Sequence, residues 1–353
     1  MTLTTDEKYM LRALELAELG RGHVSPNPMV GCVIVHEDTI IGEGYHMKYG
    51  GPHAEPNAVN SVKEQKLLKE ATVYVTLEPC AHYGKTPPCA ILLAEKQVKK
   101  VVIAAVDSNP LVGGKGIKIL QDTGIEVLTG ILERPARRLN KRFFTSIEKK
   151  RPYVILKWAQ TLDGFIARPN YDSKWISNSY SRQMVHKWRA EEDAIMVGTK
   201  TAHFDDPKLN VRDWQGEPPL RIVLDKQLTL DKNLHLFDQS IPTICYNLVK
   251  DETVNNLAYV KLKEHFGIED ILSDLHHRKV QSVIIEGGSY LLQKFIQSEL
   301  WDEARVFTGN KTFKSGISAP KLKQIATEKY DIMGDCLEIF EKNESTSKNT
   351  TNG

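Results

Sequence analysis

His53, Glu55, Cys80 and Cys89 are the residues of this 353-residue chain whose types and spacing best suit chemistry. A neutral imidazole and two thiolates are ordinary zinc ligands, and three protein donors leave a fourth position for water. Zinc so held lowers the pKa of its water toward neutrality, which supplies a hydroxide nucleophile at working pH. Glu55 follows His53 by two residues in His53-Ala54-Glu55, near enough to pass a proton between that hydroxide and a leaving amine without ligating the metal. Pro79 precedes Cys80, and Cys89 stands nine positions further on. Each part also has a blander reading. An isolated His-x-Glu is common, cysteines at that spacing are often small buried residues, and a closed structural zinc site would take a fourth donor, for which His82 is available.

Together, His-x-Glu followed by Pro-Cys is the pattern of zinc-dependent nucleobase deaminases. The spacing then departs from the deaminases that act on nucleic acids, which carry two residues between their cysteines. Here there are eight, Ala81-His82-Tyr83-Gly84-Lys85-Thr86-Pro87-Pro88. A longer segment adds polar groups beside the metal and points to a different substrate.

The second half offers no metal constellation and no Ser/His/Asp set. Its chemical signal is Glu286-Gly287-Gly288-Ser289, where an apolar strand pattern gives way to a helical one. Free backbone N–H groups and the helix dipole at such a junction can hold a phosphate. A Gly-Gly turn is also an ordinary structural device.

These residues need elements to carry them. Thr4 and Glu7 form a capping box before the helical pattern Tyr9 to Leu19, which Gly20 ends. Val30 to Val35 and Ile40 to Tyr45 read as a hairpin. A helix near Ala54 to Ser61, a strand at Thr72 to Leu77, a helix after Cys89, a strand at Lys100 to Ala105, a helix near Ile117 to Asp122 and a strand at Ile125 to Leu128 follow. One charged helix from about Leu132 to Lys149 closes the half, and Lys149-Lys150-Arg151-Pro152 marks a boundary. Beyond it, strands at Tyr153 to Trp158, Ala194 to Val197, Leu220 to Leu224, Thr243 to Tyr246 and Val283 to Ile285 accompany helices at Ser181 to Ala190 and Tyr290 to Gln297. The alternation predicts two α/β domains, each with a largely parallel sheet, over residues 1–150 and 151–343, with a disordered polar tail at 344–353.

Composition bounds the function. Hydrophobic residues make up 41% and charged residues 26%, enough apolar material for two cores. A formal charge of +2 makes no broad electrostatic claim on nucleic acid or membrane. The N-terminus lacks a signal-peptide pattern, and no run approaches the roughly eighteen apolar residues of a membrane span. Five scattered cysteines are not a disulfide framework and fit a reducing cytoplasm.

The chain resembles the bifunctional riboflavin-biosynthesis deaminase–reductases. The resemblance rests on Pro26-Asn27-Pro28-Met29-Val30-Gly31, Gly42-Glu43-Gly44-Tyr45-His46, Pro52-His53-Ala54-Glu55, the long segment Thr76 to Cys89, Asp107-Ser108-Asn109-Pro110 and Gly114-Lys115-Gly116. In the second half Lys157 to Gly164, Ser173 to Ser177, Gly198 to Thr201, Asp205 to Arg212 and Ile285 to Gly288 look like the family's reductase domain, while Thr308 to Lys323 departs from its pattern.

That resemblance implies a cytidine-deaminase-like three-layer domain followed by a dihydrofolate-reductase-like α/β domain. It implies one Zn²⁺ per chain, NADPH, a pyrimidine bearing a ribosylamino 5′-phosphate as substrate, and a homo-oligomer. Asn27, His46, His82 and Lys85 would contact that substrate in the first domain. Ala159, Trp175, Thr201 and Asp205, with Gly288, Ser289, Tyr290, Leu291, Leu292, Gln293 and Lys294, would line the cofactor. Ser173, Arg189, Leu209, Arg212 and Glu286 would meet the substrate in the second, with Lys157 a candidate polarising or proton-donating group. Two other readings compete: a deaminase of tRNA or another nucleobase with an accessory C-terminal domain, and a non-enzymatic protein with a structural zinc and a nucleotide-sensing second domain.

Overall fold

The computed structural model describes residues 3–82, 87–109 and 113–342, so the expected tail and Lys85 lie outside the described residues. The chain divides into two compact units, Met1–Lys150 and Arg151–Gly353.

The first unit runs α1 (Thr5–Glu18), β1 (Gly31–His36), β2 (Thr39–Tyr45), α2 (Ala54–Ser61), β3 (Thr72–Leu77), α3 (Cys89–Glu95), β4 (Lys100–Ala105), α4 (Lys115–Asp122), β5 (Glu126–Thr129), α5 (Glu133–Leu139) and α6 (Lys141–Lys149). Its five strands lie in the order β2-β1-β3-β4-β5. The hairpin pairs antiparallel and β1 meets β3 antiparallel, while β3, β4 and β5 are parallel.

Strand alternation divides the core between the two faces of this sheet. Cys32, Ile34, Val73, Val75, Val101 and Ile103 pack with Ala54, Ala58, Val59, Ala90, Leu93 and Leu120 of α2, α3 and α4. Val33, Val35, Tyr74, Val102 and Ala104 pack with Tyr9, Met10 and Ala13 of α1, Ala136 of α5 and Phe144 of α6. The result is three layers.

The sequence predicts one helix from about Leu132 to Lys149, and the structure breaks it at Asn140. This residue leaves helical geometry (φ −98°, ψ 25°). Its buried amide takes the backbone N–H of Met29 on Oδ1 and donates to the Met29 carbonyl, both at 2.8 Å. A long-range partner thus outweighs local helix propensity.

The second unit runs β6 (Tyr153–Thr161), β7 (Phe165–Ala167), α7 (Ser179–Glu191), β8 (Ala194–Gly198), α8 (Thr199–Asp205), β9 (Leu220–Leu224), β10 (Thr243–Asn247), β11 (Glu252–Val254), β12 (Leu257–Lys261), α9 (Ile268–His277), β13 (Ser282–Glu286), α10 (Ser289–Gln297), β14 (Glu303–Gly309), β15 (Ile317–Ser318), β16 (Glu328–Ile332) and β17 (Asp335–Glu341). Ten strands form one sheet ordered β11-β12-β10-β9-β8-β13-β6-β14-β17-β16, with β7 and β15 paired apart. From β12 to β14 every pairing is parallel, and the outer strands β11, β17 and β16 are antiparallel.

The apolar residues of α9 and α10, among them Leu272, Leu275, Leu292 and Phe295, pack on one face of the sheet. Val185 and Trp188 of α7 and Ala202 of α8 pack on the other. The C-terminal ends of β6, β8 and β13 therefore open beside the N-terminal ends of α8 and α10, where parallel sheets hold their ligands.

Candidate functional site

In the first unit, three donors converge at the start of two helices. His53 is the N-cap of α2, Glu55 lies in its first turn, and Cys89 is the first residue of α3. His53 Nδ1 stands 3.6 Å from Cys80 Sγ and 3.4 Å from Cys89 Sγ. All three ligand atoms lie within 4.8 Å of one another.

This donor set fits zinc. Bonds of about 2.3 Å to sulfur and 2.0–2.1 Å to nitrogen at tetrahedral angles place nitrogen–sulfur edges at about 3.5 Å. The two thiols share a proton: hydrogen bonding from Cys89 draws Cys80 down to about 4, and the same contact with burial pushes Cys89 up. A dication would let both be thiolates. The backbone N–H of Cys89 also donates to Cys80 Sγ at 3.3 Å.

Glu55 is 3% exposed, and burial, followed by the neighbouring Cys80 charge, pushes its carboxyl up to about 7. The helix carrying it sits close against β2 because Gly44 has no side chain: a Cβ there would lie 2.3 Å from the Ala58 nitrogen.

Asn27 and His46 are brought beside these donors. The His46 and His53 rings lie 5.4 Å apart edge to face. His46 Nδ1 stands 2.9 Å from the Pro52 carbonyl oxygen, which only accepts, so Nδ1 carries the proton. Nε2 then accepts from the Asn27 amide at 3.1 Å. That bond fixes the Asn27 amide in place. His82 is exposed.

Sequence reasoning gave Glu78 no role, yet it organises this edge of the unit. Its buried carboxylate accepts the backbone N–H groups of Asp107 (3.3 Å), Gly114 (3.0 Å), Gly116 (2.9 Å) and Ile117 (3.3 Å). It stands two residues before Cys80, so it ties the metal-ligand segment to the start of α4. Its signal in the sequence was an acidic residue at the end of an apolar strand.

The second unit holds a cavity of 1310 Å³. A pocket for one small ligand usually spans about 300–1,000 Å³, so there is room for a cofactor and a substrate together. Ala159, Trp175, Thr201, Asp205, Gly288, Ser289, Tyr290, Leu291 and Gln293 line it. So do Lys157, Ser173, Arg189, Leu209, Arg212 and Glu286. Two residues of the expected cofactor segment stand elsewhere. Leu292 is wholly buried in the core, because helical periodicity turns it toward the sheet, and Lys294 lies off the lining with its Nζ 5.6 Å from the Tyr290 ring centre.

Polar groups at the strand ends set the charge of this cavity. Glu286, at the end of β13, ion-pairs with Arg189 Nη2 at 2.6 Å and Lys157 Nζ at 3.1 Å. Burial alone would raise its carboxyl, but Arg189 and then Lys157 outweigh that and hold it at about 2. Asp205 accepts from the Ser173 hydroxyl at 3.1 Å, and burial pushes its pKa up.

The residues also fit a dinucleotide. No side chain caps α10, whose N-cap is Gly288. The Gly288 N–H donates to Thr201 Oγ1 at 2.8 Å, and a Cβ at Gly288 would come within 3.3 Å of that same oxygen. Arg189, which also lines this cavity, has a buried Nε without a partner among the described residues. Sequence reasoning also missed the rim pair Tyr171 and Phe204, stacked at 4.4 Å, because the pairing of a loop residue with one on α8 leaves no periodic signal.

Comparison with known proteins follows the same division. Residues 3–105 match the cytidine and deoxycytidylate deaminase zinc-binding region, and residues 152–317 match the RibD C-terminal domain. The class is thus a zinc-binding deaminase joined to a reductase in one chain. The riboflavin biosynthesis protein RibD of Aquifex aeolicus is 39% identical over 351 residues, covering 96% of this chain and 98% of the relative. That of Escherichia coli is 38% identical over 328 residues, covering 88% and 89%. A crystal structure of a diaminohydroxyphosphoribosylaminopyrimidine deaminase/5-amino-6-(5-phosphoribosylamino)uracil reductase from Thermotoga maritima superposes with a TM-score of 0.88 at 36% identity, covering 96% of this chain and 98% of the other. The chain belongs to the RibD family of bifunctional riboflavin-biosynthesis enzymes.

Proposed function

We propose that the chain carries out two successive reactions. The first is hydrolytic deamination of a diaminopyrimidine ribosylamino 5′-phosphate, and the second is NADPH-dependent reduction of its ribosyl group to ribityl. The observation that carries this reading is the pairing of the His53–Cys80–Cys89 donor set around buried Glu55 with a separate cavity of 1310 Å³.

In the first unit His53, Cys80 and Cys89 hold the zinc, which when bound supplies an activated water. Glu55, in its buried setting, would carry a proton to the departing amine through its carboxylate. Asn27 and His46, locked together at 3.1 Å, present polar atoms to the pyrimidine, with His82 beside them; Lys85, outside the described residues, is assigned to the same substrate from the sequence.

In the second unit NADPH, when bound, would supply hydride. Ala159, Trp175, Thr201, Asp205 and the start of α10 at Gly288 and Ser289 hold it, with Tyr290, Leu291 and Gln293 beside them. Ser173, Leu209 and Glu286 surround the sugar, and Arg189 and Arg212 bring guanidinium groups suited to its phosphate. Glu286 keeps Lys157 and Arg189 oriented, and Lys157, one of the lysines that line the cavity, is our candidate polarising or proton-donating group for the reduction. The same reading places the enzyme in the cytoplasm as a homo-oligomer that does not take nucleic acid, in keeping with the near-neutral charge of +2.

The experiment is NADPH absorbance in zinc-loaded protein given the diaminopyrimidine ribosylamino phosphate. Decay of absorbance with ammonia release, both abolished by Glu55→Gln, is the expected result. Glu55→Gln is expected to slow ammonia release by roughly 100-fold or more, the usual worth of a general acid–base group. NADPH loss that survives Glu55→Gln unchanged would overturn the order of the two steps.

A further inference from the structure

His186 lies on α7 three residues before Arg189, so the two share one face of that helix. His186 is 2% exposed, yet it meets the segment 210–213 at two points. Nδ1 accepts the backbone N–H of Arg212 at 3.4 Å, and Nε2 faces the Asp213 carboxylate at 3.4 Å. Arg189 adds a third tie, from Nη1 to the Asn210 carbonyl at 3.3 Å.

That segment belongs to no helix or strand, so no ladder of its own fixes it. The Arg212 side chain is 49% exposed and, among the described residues, makes only long polar contacts, to Asn210 Oδ1 (3.4 Å) and Asp213 (3.6 Å). Where its guanidinium enters the cavity is decided by the backbone beneath it. A neutral imidazole suits this post. Burial, then the charges of Arg189 and Arg212, hold the His186 ring at a pKa of about 4 against the opposing Asp213, so Nδ1 stays an acceptor at neutral pH.

We propose that His186 is a positioning residue of the reductase site, which sets the approach of Arg212 and through it the affinity for the 5′-phosphate of the substrate. The inference rests on the assignment of Arg212 to that phosphate.

The test uses the full-length, zinc-loaded chain and the deaminated substrate, with and without its 5′-phosphate. His186→Ala is expected to raise KM for the phosphorylated substrate about tenfold, the scale of one lost hydrogen bond, with kcat changed less than about twofold. KM for the dephosphorylated substrate should not move, and its retained kcat reports that the second unit is folded. His186→Asn, whose Oδ1 can take the Arg212 N–H, should restore KM. His186→Gln, whose amide reaches the Nε2 position instead, should not. Equal effects on both substrates, or an Asn variant no better than Gln, would overturn the proposal. Arg212→Gln separates the two layers. If it leaves KM for the phosphorylated substrate unchanged, the phosphate assignment itself fails. If it raises KM while His186→Ala does not, only the role of His186 fails.

Discussion

Arg189 donates from Nη2 to Glu286 Oε2 at 2.6 Å, which ties α7 to the C-terminal end of β13 across the reductase cavity. Lys157, paired in register with Glu286 on the adjoining strand β6, holds the other oxygen at 3.1 Å. A buried carboxylate therefore stands between two cations, and the second unit's response to acid should follow from it.

The sign is set by a folded-state pKa of about 2 against an unfolded value of 4.5. Stability from this ionised group is complete above pH 4.5 and is lost as pH falls toward 2. The full difference is about 3 kcal/mol at 1.36 kcal/mol per unit. Urea unfolding of the wild-type chain between pH 5.5 and 2.5 should show the second unit losing midpoint steadily. Glu286→Gln should start lower, because Arg189 and Lys157 lose their counter-charge, and should have a flatter profile over that window. An unchanged slope would show that other carboxyls govern acid unfolding.

Much of the first unit was legible from sequence, since its signals are local. Thr4 and Glu7 do form a capping box, β3 and α2 fall at Thr72–Leu77 and Ala54–Ser61, and the donor set follows from residue types. What was not legible depends on distant partners. Asn140 breaks the last helix because Met29 is waiting for its amide, and Glu78 matters through four backbone groups at least 29 residues away. In the second unit the apolar parallel strands are legible, but β16 exposes its middle three residues and gives no alternating pattern. His186 carries no signal of its own in the helical pattern, because its contacts come from the segment 210–213.

Zinc removal should divide the two activities. Cys89→Ser and His53→Ala each take one donor from a set of three, so metal content after dialysis should fall well below one ion per chain. Ammonia release should be lost with it. Reduction of already deaminated substrate should continue within about twofold, because the reductase cavity contains none of these donors. Full zinc content in Cys89→Ser would remove that cysteine from the ligand set.

Glu78→Ala should destabilise the first unit strongly. It strands the N–H groups of Asp107, Gly114, Gly116 and Ile117, and a buried unsatisfied group costs about 1–3 kcal/mol. These costs are not additive, so we expect about 3 kcal/mol and a transition lowered by roughly 10 °C. Differential scanning calorimetry should show the second unit's transition in place. Hydrogen exchange should quicken at those four amides first, and protection equal to wild type would mean that water or another side chain replaces the carboxylate.

Gly44→Ala tests how tightly the strand under α2 positions the deaminase groups. The added methyl would lie 2.3 Å from the Ala58 nitrogen and 2.7 Å from the Ala54 carbonyl oxygen. Both are backbone atoms of α2, which is capped by His53 and carries Glu55 in its first turn, so no side chain can swing aside to make room. The helix has to lift from β2, and overpacking of this kind costs about 1–3 kcal/mol. Its movement carries Glu55 away from Cys80 and Cys89. A shift of about 1 Å in a reacting group can cost about 100-fold in rate. Ammonia release should therefore fall by at least about tenfold while the reductase step is retained, since the strain is confined to the first unit. Wild-type ammonia release with an unchanged melting transition would mean that α2 can slide without disturbing the site.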